Sequence, residues 1–187
     1  MSPIVWIVVA GLALVVIWAI LSYNRLVALR EQVRAAWAQI DVLLKRRHDL
    51  IPNLVETVKG YAAHERETLE RVIAARNAAV AVSGNPAQAS QAEGALSGAL
   101  RQLFALSEAY PDLKANTNFS ELQRELAGTE NQISHQRQQY NAIVAAYNTS
   151  MLSFPNNLLA GPFGFTAQPF FEVQDAAQRE APQVKFT

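Results

Sequence analysis

The hydrophobic pattern divides the chain sharply near residue 24. From Pro3 to Tyr23 the sequence PIVWIVVAGLALVVIWAILSY holds no charged residue. About twenty apolar residues in a row are what a helix needs to cross the hydrocarbon core of a bilayer. Trp6, Trp18 and Tyr23 stand where aromatic rings favour membrane interfaces. A cleaved signal peptide would show a basic leader, a shorter apolar core and small residues at its cleavage site. No Lys or Arg precedes this span, and WAILSYN lacks an A-x-A pattern. Residues 1–24 therefore read as an uncleaved transmembrane anchor. The cations come after it: Arg25, Arg30 and Arg34, then Lys45, Arg46 and Arg47. By the positive-inside rule the protein crosses once, with its N-terminus outside and the rest in the cytoplasm.

Beyond the anchor, apolar residues recur at helical spacing. Leu26, Leu29, Val33, Trp37, Ile40, Leu43 and Leu44 form one stripe. Leu54, Val58, Tyr61, Leu69 and Val72 form a second, in a helix from about Asn53 to Val82 that ends at SGNP, Ser83 to Pro86. Leu96, Leu100, Leu103 and Leu106 mark a third helix, about Ala87 to Ala109, closed by Pro111. The fourth begins near Asn118 or Ser120, with Ser120 as its cap, and runs to about Leu152. Its stripe is Leu122, Leu126, Ile133, Tyr140, Ile143, Val144 and Tyr147. Nothing reads as a strand. The pattern predicts an all-α fold: an N-terminal transmembrane helix, then an antiparallel four-helix bundle with long helices over residues 25–154, with coiled-coil-like packing. Residues 155–187 form a tail rich in Phe, Pro and Gly. With five phenylalanines in FPNNLLAGPFGFTAQPFFEV, it is expected to pack on the bundle or on a neighbouring copy.

Composition narrows the classes. Sixteen Lys and Arg balance sixteen Asp and Glu. Nucleic-acid binding usually needs a basic excess, so nucleic acid is not an expected partner. The absence of cysteine excludes disulfides and thiolate metal sites.

The densest polar chemistry lies in KRRHDLIPNLVETVKGYAAHE, Lys45 to Glu65. His48 and Asp49 are adjacent, so they splay about 100° apart on a helix. His64 follows His48 by sixteen residues, about 24 Å along a continuous helix. HERET lacks the second histidine of the H-E-x-x-H motif. No nucleophile elbow and no glycine-rich phosphate loop occur in the chain. No catalytic residue, cofactor or metal is assigned. The stretch reads as solvated charges beside a helix break. Pro52 lacks a backbone N–H and disfavours helix at Ile51, so the helix either kinks there or ends. The apolar rhythm continues through it and no glycine offers a corner, which keeps both choices open.

Long segments carry a family resemblance. YNRLVALREQVRAAWAQIDVLLKRRHDLIPNLVETVKGYAAHERETLERVIAAR, SEAYPDLKANTNFSELQRELAGTENQISHQRQQYNAIVAAYN and the closing PFFEV resemble the LemA family of bacterial membrane proteins. The resemblance implies a bacterial inner-membrane protein with a soluble helical bundle. It supplies no catalytic residues, and it favours a helix end near Pro52.

Two functions of different class follow. The first is a membrane-anchored scaffold, acting through self-association and partner binding without catalysis. Its partners would be the lipid bilayer, copies of itself and other membrane proteins. The second is a membrane-associated enzyme, or an accessory subunit of one, that uses the polar residues around Pro52. If the four helices alternate, the Pro52 turn meets the third connection at a tip far from the membrane. Arg46, Arg47, His48, Asp49 and Asn53 would then face Asp112, Lys114, Asn116 and Asn118, a candidate interaction tip. Phe154, Phe163, Phe165, Phe170 and Phe171 would lie at the opposite end, as membrane-proximal or inter-subunit contacts.

Overall fold

A computed structural model describes residues 2–82 and 84–172. Ser83 of the SGNP turn and residues 173–187 of the tail lie outside the described residues. Within them the fold is all-α, with one long apolar N-terminal helix and no strand. The order is α1 (Pro3–Lys59), α2 (Arg66–Ala81), α3 (Pro86–Ser107), α4 (Pro111–Lys114), α5 (Thr117–Leu152) and α6 (Asn157–Ala160).

The helix does not end at Pro52. α1 carries Pro52 in its interior and stops only at Lys59. The expected helix end near Pro52, and a second helix beginning at Asn53, are therefore corrected: the corner falls at Gly60–Glu65, and α2 starts at Arg66. The physical reason is a contact from another helix. A proline costs a helix the hydrogen bond to the carbonyl four residues back, here that of His48. Arg76 of α2 supplies the missing donor, its Nε lying 2.9 Å from the His48 carbonyl oxygen. With that acceptor satisfied and the apolar stripe unbroken, Pro52 sits on an exposed face and is accommodated.

The other boundaries follow from capping. Asn85 accepts from the backbone N–H groups of Ala87 and Gln88 at the start of α3, and Pro86 occupies the first helical position. Gly84 precedes this cap with φ +91, a conformation that disfavours any side chain. At the start of α5 the Asn116 side chain accepts from the Phe119 N–H at 2.9 Å. Asn116 is thus the cap, in place of Ser120, whose hydroxyl donates back to the Thr117 carbonyl.

The described residues fall into two compact units. One comprises residues 39–137 with 170–172. Residues of α1 to α5 share its core. Ile51, Leu54 and Val58 come from α1, Leu69 and Val72 from α2, Leu96, Leu100 and Leu103 from α3, and Phe119 and Leu126 from α5. Burying one such aliphatic or aromatic side chain is worth about 1.5–3 kcal/mol, so this set dominates the unit's stability. Leu113 of the short α4 is fully buried in the same core, which ties down the connection between α3 and α5.

The other unit comprises residues 2–38 with 138–169. Leu26, Val33 and Ala36 of α1 are buried there, as are Tyr140, Val144, Tyr147 and Met151 of α5. Trp37 is half-buried, its ring 5.6 Å from that of Tyr140. The segment after α6 is fixed to α5 by polar contacts. The hydroxyl of Tyr140 donates to the Pro169 carbonyl and that of Tyr147 to the Thr166 carbonyl. Asn148 and Gln168 pair twice, side chain to backbone in both directions. The first part of α1 has no such cover: none of the apolar side chains from Ile4 to Leu21 is buried.

Candidate functional site

Arg47 and His48 stand at the helical register that links Leu44 to Ile51, so they point into the core and not into solvent. Both are buried, at 4% and 5% exposure. The expectation of solvated charges fails for this pair. Their shared partner is Glu93 of α3, 2% exposed. His48 Nε2 lies 2.6 Å from Glu93 Oε1, and Arg47 donates to Glu93 Oε2 at 3.3 Å. Arg47 also donates to the Ser97 hydroxyl at 2.8 Å and pairs with Glu130 of α5 at 2.9 Å. Both carboxylate oxygens of Glu93 are therefore engaged. The guanidinium ties α1, α3 and α5 together through charge-assisted bonds, which are stronger than neutral ones.

A cleft of about 460 Å³ opens beside this network, in the same unit. Arg47, Arg101, Arg137 and Glu130 line its polar part, and Leu100 and Phe104 belong to its apolar wall. A second hollow of about 250 Å³ holds His48 and Arg76 with Asp41, Lys45 and Asp49. The chemistry on offer is ion pairing. A base must lie within hydrogen-bonding reach of its nucleophile to activate it. The Ser97 hydroxyl accepts from Arg47, while His48 bonds Glu93, so the groups do not form such a relay. Among the described residues no three His, Asp or Glu side chains converge on a metal position.

The remaining polar candidates are wholly or partly exposed. Arg46 is exposed and pairs with Glu125 at 2.7 Å. Asp49 and Asn53 are exposed on α1. Asp112 and Lys114 are exposed on α4, Lys114 paired with Glu108, and Asn118 is exposed in the first turn of α5. The connection that carries Asp112 to Asn116 is met by the Gly60–Glu65 corner. Asn116 donates to the Tyr61 hydroxyl and Tyr110 to Glu65, each at 2.9 Å. That hydrogen bond from Tyr110 to a carboxylate is the main reason its phenol titrates above the usual tyrosine range. Of the phenylalanines, Phe165 and Phe171 are buried, whereas Phe154, Phe163 and Phe170 are exposed.

Glu93, Ser97 and Arg76 are partners that residue type and spacing alone do not single out. Glu93 nevertheless carries a legible signal. It precedes Leu96 by three positions and so extends the stripe Leu96, Leu100, Leu103, a carboxylate on a buried face. Arg47 breaks the run Ile40, Leu44, Ile51 in the same way. Charges that interrupt two buried stripes are expected to pair, because an unpaired buried charge is costly.

The sequence model of the LemA family matches residues 36–186. Magnetosome protein MamQ 2 of Paramagnetospirillum magneticum is 25% identical over 182 residues, covering 84% of this chain and 67% of that protein. Magnetosome protein MamQ of Magnetospirillum gryphiswaldense has the same identity and coverage. Protein LemA of Metamycoplasma hominis is 26% identical over 140 residues, 73% of this chain and 63% of that protein. None of these names denotes an enzyme. With four-fifths of its length matched by the family's pattern, the chain belongs to the LemA family.

Proposed function

We propose that the protein is a single-pass, membrane-anchored scaffold that acts by self-association and by binding other membrane proteins, with no catalysis of its own. Its N-terminus lies outside and the helical remainder in the cytoplasm. One observation carries this reading: α1 is continuous. It begins as an apolar stretch with no buried side chain and becomes a core-forming helix without a break. An uncovered apolar surface of that size calls for lipid or another apolar partner.

Self-association is supported by surface character. The net charge is zero, so copies do not repel one another. α2 exposes small and apolar side chains at Ile73, Ala74, Val80 and Ala81. The polar contacts of a partner would fall on exposed groups, Arg46, Asp49 and Asn53 on α1 and Asp112 and Lys114 on α4. Polar groups on a rigid scaffold are a usual place for recognition. The rival reading, an enzyme or an accessory subunit of one, has the buried His48–Glu93 pair in its favour, but the contacts of that pair are those of an ion-pair network with Arg47.

Crosslinking in native membranes, with mass measurement in mild detergent and in nanodiscs, tests the scaffold. A discrete homo-oligomer in all three settings is expected. A strictly monomeric mass in both detergent and nanodiscs would overturn self-association.

A further inference from the structure

Residues 151–171, MLSFPNNLLAGPFGFTAQPFF, contain no charged side chain. Half of this segment is explained by packing. Phe165 is buried, its ring 5.7 Å from that of Tyr23 and 5.2 Å from the Arg30 guanidinium. The backbone from Thr166 to Pro169 is held by Tyr147, Asn148 and Tyr140. The other half is not explained. Leu152, Phe154, Leu158 and Phe163 are exposed at 69%, 78%, 61% and 57%. A segment fixed this firmly nevertheless turns four large apolar side chains outward.

Their position identifies an occupant. The Phe163 ring lies edge-on to Tyr23, with centroids 5.1 Å apart. Tyr23 is the last residue of the uncharged span. The exposed patch therefore begins where the transmembrane segment ends, inside one compact unit. We propose that Leu152, Phe154, Leu158 and Phe163 form a second membrane contact, inserted at the boundary between headgroups and acyl chains in the leaflet that holds Tyr23. This rests on the anchor proposed above.

Three features favour lipid over a second copy of the chain. Apolar side chains at that boundary sit about 5–10 Å deep with polar groups beside them, and here the groups between them, Ser153, Asn156 and Asn157, are polar and uncharged. Arg25 and Arg30 lie just past the span and suit anionic headgroups. The four side chains come from a helix end, a loop and the short α6, so they make a broad tip and not the helical stripe that a partner helix would pack against.

The chain has no cysteine, so single nitroxide labels are introduced at will. Full-length Phe154→Cys and Phe163→Cys are labelled in nanodiscs that contain anionic lipid. Collisions with oxygen, which concentrates in lipid, are compared with collisions with a water-soluble nickel complex. Leu12→Cys reports mid-span, and Val42→Cys, exposed on α1, reports the non-membrane surface. Circular dichroism verifies that each variant keeps its helix content. Labels at 154 and 163 are expected to favour oxygen, between Leu12 and Val42 and nearer to Leu12. Nickel access equal to that at Val42 would overturn the proposal. So would protection from both reagents together with spin–spin broadening, which would assign the patch to a second copy. A nickel-accessible label at Leu12 would instead remove the anchor itself, and this inference with it.

Discussion

The Nε of Arg76 donates to the carbonyl oxygen of His48 at 2.9 Å, and that carbonyl is the one Pro52 leaves without a helical donor. A side chain from α2 thus takes over a backbone bond of α1. Its loss is predicted to matter only while the proline is present. Arg76→Met should cost about 1–3 kcal/mol, the usual penalty for an orphaned buried polar group. Pro52→Ala restores the N–H and should reduce that penalty to a few tenths. Denaturant unfolding of the four variants of this double-mutant cycle in detergent measures the coupling. Equal costs of Arg76→Met in both backgrounds would show that the bond does not compensate for Pro52.

Glu93 is the carboxylate partner of two buried side chains, and its removal leaves Arg47 inside the protein with the half-exposed Glu130 as its remaining ion partner. Breaking a buried pair from one side costs about 3–5 kcal/mol, because the remaining charge is uncompensated. Glu93→Ala is predicted to fall in that range by thermal or denaturant unfolding. Replacing Arg47 and Glu93 together with apolar residues should cost less than Glu93→Ala alone. A double variant as unstable as the sum of the singles would mean that packing, and not charge pairing, sets the value.

These two contacts show what the sequence made legible. Stripes at helical spacing located α3 and α5 closely, because burial on one face leaves a periodic trace. The SGNP turn bounded the start of α3. The course of α1 through Pro52 was not legible. It depends on Arg76, 28 positions away, and no local pattern encodes a donor from another helix. The real corner, near Gly60, lay inside an otherwise regular stripe, which hid it. Arg47, His48 and Glu93 looked like surface charges only when taken by residue type. Their register within the apolar runs marked them as interior. Which rings of the Phe-rich segment face inward was not legible, because that depends on the turn geometry after α6.

Alkaline pH provides a probe of the unit that contains the tail. Burial pushes the Tyr140 phenol up to about 12, above its ordinary value of 10.0. Tyr147 is raised too, chiefly by burial, with Arg30 and the bond to Thr166 opposing. A raised folded value means that the fold prefers the neutral phenol. This stability is fully present below pH 10 and is lost as pH climbs towards 12. For Tyr140 the loss amounts to about 2–3 kcal/mol, since every tenfold change in a proton-binding equilibrium corresponds to about 1.4 kcal/mol. Tyr140→Phe should lose about 1 kcal/mol at neutral pH, the worth of its bond to the Pro169 carbonyl. It should also flatten the fall between pH 10 and 12. Unfolding midpoints across that range, followed with tyrosinate absorbance, check both. An unchanged alkaline slope in the variant would place the sensitivity elsewhere.

The corner at Gly60–Glu65 makes the last prediction, and it separates two architectures. Tyr61 and Asn116 share a hydrogen bond at 2.9 Å, and Glu65 accepts from Tyr110 at the same distance. Had α1 ended at Pro52, Asp49 would approach Asp112 instead. Asp49 precedes Tyr61 by twelve positions on or beside one helix, which amounts to about 18 Å of axial rise. A cysteine-free chain permits paired cysteines without background. Tyr61→Cys with Asn116→Cys should join rapidly through a crosslinker about one helix diameter long, roughly 10 Å. Asp49→Cys with Asp112→Cys should remain unjoined under the same conditions, because both residues are exposed and only distance limits them. Fast joining of the second pair and silence of the first would put the turn back at Pro52. The expected result leaves Asp112 and Lys114 exposed on the connection that this corner meets, which makes them the first of the proposed contacts to substitute when partners are sought.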